Sequence, residues 1–183
     1  METKTDRRIE KTRKLIIESF LALLAKKDIS KITVAEISRM ANISRGTFYL
    51  HYKDTNDIYE QLEDEFCKQL VTIYEDAYPT MDATNQEKLL QNLFLFLENN
   101  MDIISAFCRN DKGNIFFKKV ESIFNEKVLW EVPELYTSGY DVIESSFVVN
   151  GILSVIRNWI VGKTDLSKDE LVQHLFTVLR KLA

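Results

Sequence analysis

The sequence predicts an all-α protein of about nine helices, with a small basic unit followed by a larger helical body. Three observations carry that prediction. The 183 residues are 45% hydrophobic, yet include only five Gly and two Pro, which fits a folded, helix-rich chain better than a disordered tail or a turn-rich sandwich. Apolar residues recur at helical spacing along most of the chain. The tetrapeptides "TVAE", "TNQE" and "SKDE" are Ser/Thr-x-x-Glu capping boxes, the sequence signature of a helix start. The length suits one domain, or a small domain fused to a larger one.

The first helix is predicted over Arg8–Ala25, where Leu15, Ile16, Phe20, Leu23 and Leu24 follow the basic "RRIEKTRK" at helical spacing. It ends at the polar "KKDISK". Thr33 and Glu36 form the box that starts a short second helix through Met40, with Ile32, Val34, Ile37 and Met40 facing inward. After the tight "ANIS", Ser44 caps a third helix through Tyr52. Asp54 then caps a long fourth helix, which runs to about Ala77, before Pro79. Thr84 and Glu87 open a fifth toward Asn99. Shorter helices are expected at Met101–Phe107 and Asn114–Trp130, followed by a break at Pro133–Gly139. A long helix, Tyr140–Val161, and a last one opened by Ser167 and Glu170 complete the chain. The predicted division is 1–53 and 54–183, with helix 54–77 as the link.

Charge is divided along the same line. Residues 1–53 carry 12 Lys/Arg against 6 Asp/Glu, a net of +6, whereas 54–183 carry 12 against 22, a net of −10. A basic first third favours a polyanion that the acidic remainder repels; an ordinary solvated surface is the alternative reading. Cys67 and Cys108 lack CxxC spacing and read as core thiols in a reducing compartment, with a redox pair as the lesser alternative. The charged N-terminus has no apolar signal core, and no window of about 20 apolar residues is present, so neither secretion nor a membrane span is expected. The expected location is cytoplasmic.

Two short helices joined by a four-residue turn, with a supporting helix before them, outline a helix-turn-helix unit. Within the third helix, Phe48 and Tyr52 lie one turn apart and anchor it to the first two. Gly46, Thr47 and Leu50 project the other way: a close backbone approach, a hydroxyl with a methyl, and an apolar tip, all compatible with a duplex groove. Arg45, Tyr49, His51 and Lys53 sit at the edges as hydrogen-bond donors, with coverage of the core as the alternative role for Tyr49 and His51. Ser44 and Thr33 place hydroxyls at helix N-termini, where free N–H groups attract phosphate.

The run "TVAEISRMANISRGTFYLHYKDTNDIYEQL", Thr33–Leu62, resembles the tetracycline-repressor (TetR/AcrR) family of transcription regulators, and the likeness extends over about residues 8–65. It implies a homodimeric regulator that binds a palindromic double-stranded DNA operator, commonly as a repressor, with a co-regulator or activator that has no small-molecule effector as the alternative. The family's contacts then fall on Thr33, Ser44, Arg45, Gly46, Thr47, Tyr49, His51, Lys53 and Thr55. Asp54 departs from the family pattern, since an acid beside phosphate is unfavourable unless it is occupied as a cap.

The predicted helix Tyr140–Val161 is apolar almost all round and needs partners on several sides. With the last helix it suits a four-helix interface across a two-fold axis, using Phe147, Ile152, Ile156, Trp159, Leu175 and Leu179; an intrachain core is the alternative. The segment "FVVNGILSVIRNWIVGK" is similar to the subgroup that includes dihydroxyacetone-kinase operon regulators. An effector pocket, which the family places in the body, falls on Phe66, Tyr74, Phe107 and Phe117, with plain packing as the alternative. The effector class is a small molecule or a protein co-regulator.

No cofactor, metal site or catalytic set is expected. The chain has two histidines; His174 follows Glu170 by four residues with no third ligand in sight, and no P-loop, GxGxxG, GxSxG or HExxH motif occurs. The rival to DNA binding is a helical adaptor whose basic unit meets a protein.

Overall fold

The computed structural model describes residues 4–77, 83–109, 113–131 and 139–182. The helices are α1 (Lys4–Leu24), α2 (Val34–Met40), α3 (Arg45–Tyr49), α4 (Thr55–Ala77), α5 (Ala83–Asn99), α6 (Met101–Arg109), α7 (Gly113–Glu131), α8 (Gly139–Ile160) and α9 (Lys168–Leu182), with a 3₁₀ turn at Ile29–Lys31. No strand occurs among the described residues. The predicted helix Tyr140–Val161 is α8, one residue earlier at each end. The expected break at Pro133–Gly139 lies outside the described residues except for Gly139, which opens α8. Helix α5 starts one residue before Thr84, placing that residue in the first turn.

Helix α1 buries Ile16, Phe20 and Leu24, spaced one turn apart, while Leu15 is exposed. This face packs on α2, α4 and α6. The buried side chains form one connected cluster, from Ile16 and Phe48 through Ile58 and Phe66 to Phe107, Phe116, Ile156 and Leu171. Helix α4 runs through it: its N-terminal half buries Ile58 and Tyr59, and further on it buries Phe66, Leu70 and Tyr74. Lys119 of α7 ties to α4 through Glu63 at 2.9 Å and Asp64 at 2.7 Å, and Lys127 pairs with Glu75.

Expectations at Met40, Ile156 and Leu175 need correction. Met40 is 51% exposed, because the core position one turn after Ile37 is taken by Ala41. Ile156 and Leu175, placed at a subunit interface from sequence, are buried in the chain's own core. Trp159 is half-buried: its ring packs on Phe94 at 5.3 Å and its indole N–H donates to the Leu166 carbonyl at 3.2 Å. The physical reason is that α9 packs on α5 and α8 on α7, so one side of each helix is already occupied. Ile152 and Leu179 are half-buried against that core, whereas Phe147 is 70% exposed.

The four rings assigned to an effector pocket are packed as core. Phe66, Tyr74 and Phe107 are buried, and Phe117 is half-buried. Phe116 contacts Phe66, Phe107 and Phe117 at 5.5, 4.9 and 5.4 Å between centroids, and Tyr74 meets Phe124 at 5.9 Å, distances of direct aromatic packing. A cleft of about 580 Å³ lies elsewhere, lined by Arg13, Ile17 and Leu21 of α1, Gln61 and Leu62 of α4, and Ile103 of α6. Cys67 and Cys108 are free thiols, and burial pushes both up to about 11.

Candidate nucleic-acid interface

The turn unit is held by local hydrogen bonds that its own sequence supplies. Thr33 caps α2: its Oγ1 accepts from the Glu36 N–H at 3.3 Å, and the Glu36 carboxylate accepts from the Thr33 N–H at 3.0 Å. Lys27 donates to Glu36 at 2.7 Å. The bonds from Lys27 and Thr33 hold that carboxyl well below its ordinary value, at about 2.

Helix α2 ends where Asn42 enters the left-handed region, at φ 53°. The Ile43 N–H donates to the Ser38 carbonyl at 2.9 Å and the Asn42 N–H to Arg39 at 3.3 Å, the paired bonds of a Schellman end. Asn is the residue after Gly that best tolerates this conformation. Asn42 therefore sets the angle between α2 and α3. Within the expected tight turn "ANIS", the signal that singles out Asn42 is an Asn just after a periodic helix, a stop signal.

Ser44 caps α3, accepting from the Thr47 N–H at 2.9 Å, and its Oγ lies 2.9 Å from Thr47 Oγ1. The helix is shorter than predicted, ending at Tyr49 instead of Tyr52. The Leu50 and His51 N–H groups bond to the carbonyls of Thr47 and Phe48 three residues back, so the chain tightens into 3₁₀ geometry. Tyr52 still returns to the Phe48 side, and both are buried, at 3% and 0% exposed. On the opposite side Leu50 is 84% exposed and Tyr49 57%, the Tyr49 ring resting edge-on against Phe48 at 5.5 Å.

Of the nine residues assigned to DNA contact, Thr33, Ser44, Arg45, Gly46, Tyr49 and Lys53 are exposed and Thr47, His51 and Thr55 half-buried. All lie on α3, at the helix starts of α2 and α3, or at the corner leading into α4. A Cβ added to Gly46 would meet only Ser44 Oγ, at an ordinary 3.6 Å. Nothing within the chain requires glycine there. Asp54 is occupied as a cap: its Oδ1 accepts from the Asp57 N–H at 2.9 Å. Asp57 in turn accepts from the Lys53 N–H at 2.8 Å, which holds its carboxyl below the ordinary range.

Among the described residues no group of three or more His, Cys, Asp or Glu stands close enough to hold a metal ion. None of their helices is long and apolar enough to cross a membrane.

Two family descriptions match the chain: "Bacterial regulatory proteins, tetR family" over residues 16–62, and "Transcriptional regulator C-terminal region" over residues 84–181. The HTH-type transcriptional regulator YxbF of Bacillus subtilis is 35% identical over 115 residues, covering 61% of this chain and 30% of that protein. A protein of Escherichia coli K12 described as a probable acrEF/envCD operon repressor is 31% identical over 97 residues, 51% of this chain and 44% of that one. The chain thus spans less than half the length of these relatives. A TetR-family transcriptional regulator from Syntrophomonas wolfei superposes with a TM-score of 0.72 at 16% identity, over 94% of this chain and 95% of that one. A dihydroxyacetone kinase operon activator, DhaS, superposes at 0.59 with 17% identity over 93% of each chain. At those identities the likeness concerns the fold.

Proposed function

This chain belongs to the tetR family of DNA-binding transcriptional regulators, and on that premise we propose that it is a repressor whose homodimer sets two copies of α3 into a palindromic operator. The observation that carries this reading is the division of the segment 45–52 into a buried side, Phe48 and Tyr52, and an open side, Gly46, Tyr49 and Leu50. Bare backbone at Gly46 lets α3 lie close to base edges, where Thr47 and Leu50 offer methyl groups to thymine. Arg45, Tyr49, His51 and Lys53 donate to phosphates and fix register, helped by the helix starts at Thr33, Ser44 and Thr55. The net +6 of residues 1–53 favours a duplex over a protein partner for this unit.

The partner surface of the dimer centres on α8, where Ile143 and Phe147 are 67% and 70% exposed one turn apart. Gly151 follows one turn further on, exposed, and an added Cβ there meets nothing within 4 Å. Such a stripe lets a second helix approach closely. Two recognition helices then reach half-sites about one helical turn or slightly more apart. Residues 54–183 form the regulatory body, α4 the link, and the cytoplasm the place of action. A small molecule or protein bound to the body shifts operator affinity by preferring one separation of the two readers. Repression follows the family's common mode and the name of the E. coli relative.

The test is a pair of substitutions on α3. Thr47→Ala relaxes sequence preference, whereas Tyr49→Ala weakens binding to all duplexes alike. Equal, small losses from both would mean that α3 does not enter a groove.

A further inference from the structure

Arg13 of α1 has its guanidinium turned toward the reader. Its Nε donates to the Tyr52 hydroxyl at 3.1 Å, its Nη2 donates to Gln61 Oε1 at 3.2 Å, and the group lies 5.9 Å from the centre of the Tyr52 ring. Gln61 passes the chain on: its Nε2 donates to Asp57 Oδ1 at 3.0 Å, and Asp57 Oδ2 takes the Lys53 N–H. Each bond has a fixed direction, because a guanidinium only donates and a carboxylate only accepts. The Gln61 amide is therefore held in one orientation. One planar fork thus grips both Tyr52, just beyond α3, and α4 nearly two turns in, and it is tied through Asp57 to the backbone of the Lys53–Thr55 corner.

We propose that Arg13 is a positioning residue for DNA binding, fixing the angle of α3 and the Lys53 corner relative to α1 and α4 without itself touching DNA. The inference rests on the DNA-binding reading above. Arg13 is exposed, so its bonds add little to stability, but a two-ended planar fork sets geometry that a point charge does not. In a dimer, the angle of each reader sets the distance between half-sites. Loss of the fork should therefore loosen spacing more than it loosens the fold.

The test uses the whole 183-residue chain and the duplex that it selects from a random library at low salt. Arg13→Met and Gln61→Leu are each expected to weaken binding by roughly ten-fold, and the double variant by no more than the larger single loss, as for members of one network. The slope of log affinity against log salt stays at the wild-type value, since no phosphate contact is removed. The wild type rejects duplexes with one base pair added or deleted between half-sites, and the variants accept them. Arg13→Lys keeps the charge and still fails to restore the spacing preference. Tyr52→Phe retains the buried ring, melts as the wild type does, and shows the same loss of spacing discrimination. A slope reduced by about one in Arg13→Met would make Arg13 a phosphate contact and overturn the proposal. So would additive losses, rescue by Arg13→Lys, or spacing discrimination intact in every variant. A wild-type protein that selects no duplex would remove the DNA-binding reading itself, and the inference with it.

Discussion

Gly46 is a position where the fold makes no demand for glycine. It lies in the first turn of a capped helix, and a methyl group there meets only ordinary contact with Ser44 Oγ. Replacing glycine by alanine in a helix gains up to about 1 kcal/mol where the conformation is compatible. Gly46→Ala should therefore leave the melting temperature unchanged or raise it, while DNA affinity falls because the added methyl holds α3 off the groove floor. Thermal melts and duplex titrations on the same sample check this; a variant that binds as tightly as the wild type would free Gly46 from any role in contact. The outward side of α3 was legible from the sequence because helical periodicity alone places Phe48 and Tyr52 opposite Gly46 and Leu50. The bonds of Arg13 were not, because they join residues 39 and 48 positions apart and no local pattern encodes them.

At the scale of elements, helix starts are the best-specified features of this chain. The boxes at Thr33 and Ser167 and the cap at Asp54 each bond within three residues, so the sequence contains the whole interaction. Glu36, Asp57 and Glu170 all have carboxyls held below their ordinary values, chiefly by bonds from Lys27, the Lys53 N–H and Ser167 respectively. A carboxyl with a lowered folded-state value adds stability when ionised. For Glu36 that contribution is complete above about 4.5 and is lost as pH falls toward about 2. Chemical denaturation across that range should show the wild type losing stability more steeply than Glu36→Gln. Thr33→Ala should cost about 1 kcal/mol at neutral pH. Equal pH dependence in the two proteins would remove the capping box as a source of acid sensitivity. Helix ends were less legible: α3 closes early through 3₁₀ bonds, and α2 stops at Asn42. The facing of α8 was not legible at all, because a helix apolar on every side carries no stripe to orient it. Only its neighbours decide that Ile156 points inward and Phe147 outward.

Across the whole molecule, one connected core runs from α1 and α3 through α4 to α6, α7, α8 and α9. Tyr59, near the start of α4, packs on Phe107 of α6 at 4.7 Å, while Lys119 clamps the next turns from α7. In the proposed mechanism, this packed helix is the route by which a change in the body reaches the reader. In the proposed dimer, the second copy supplies the second reader. Phe147→Asp places a charge in the centre of the proposed two-fold surface while leaving the buried cluster untouched, so it should convert the dimer to a folded monomer and lower operator affinity by about a hundred-fold or more, as expected when linked binding is lost. Native mass spectrometry reads the first effect, and an unchanged dimer would move the interface elsewhere. The basic unit is proposed to meet duplex DNA through phosphate contacts and groove readout, and duplex affinity as a function of salt measures this most directly. Affinity should fall by about a thousand-fold or more between roughly 50 and 200 mM salt; binding indifferent to salt, or no binding at the lowest salt, would contradict it.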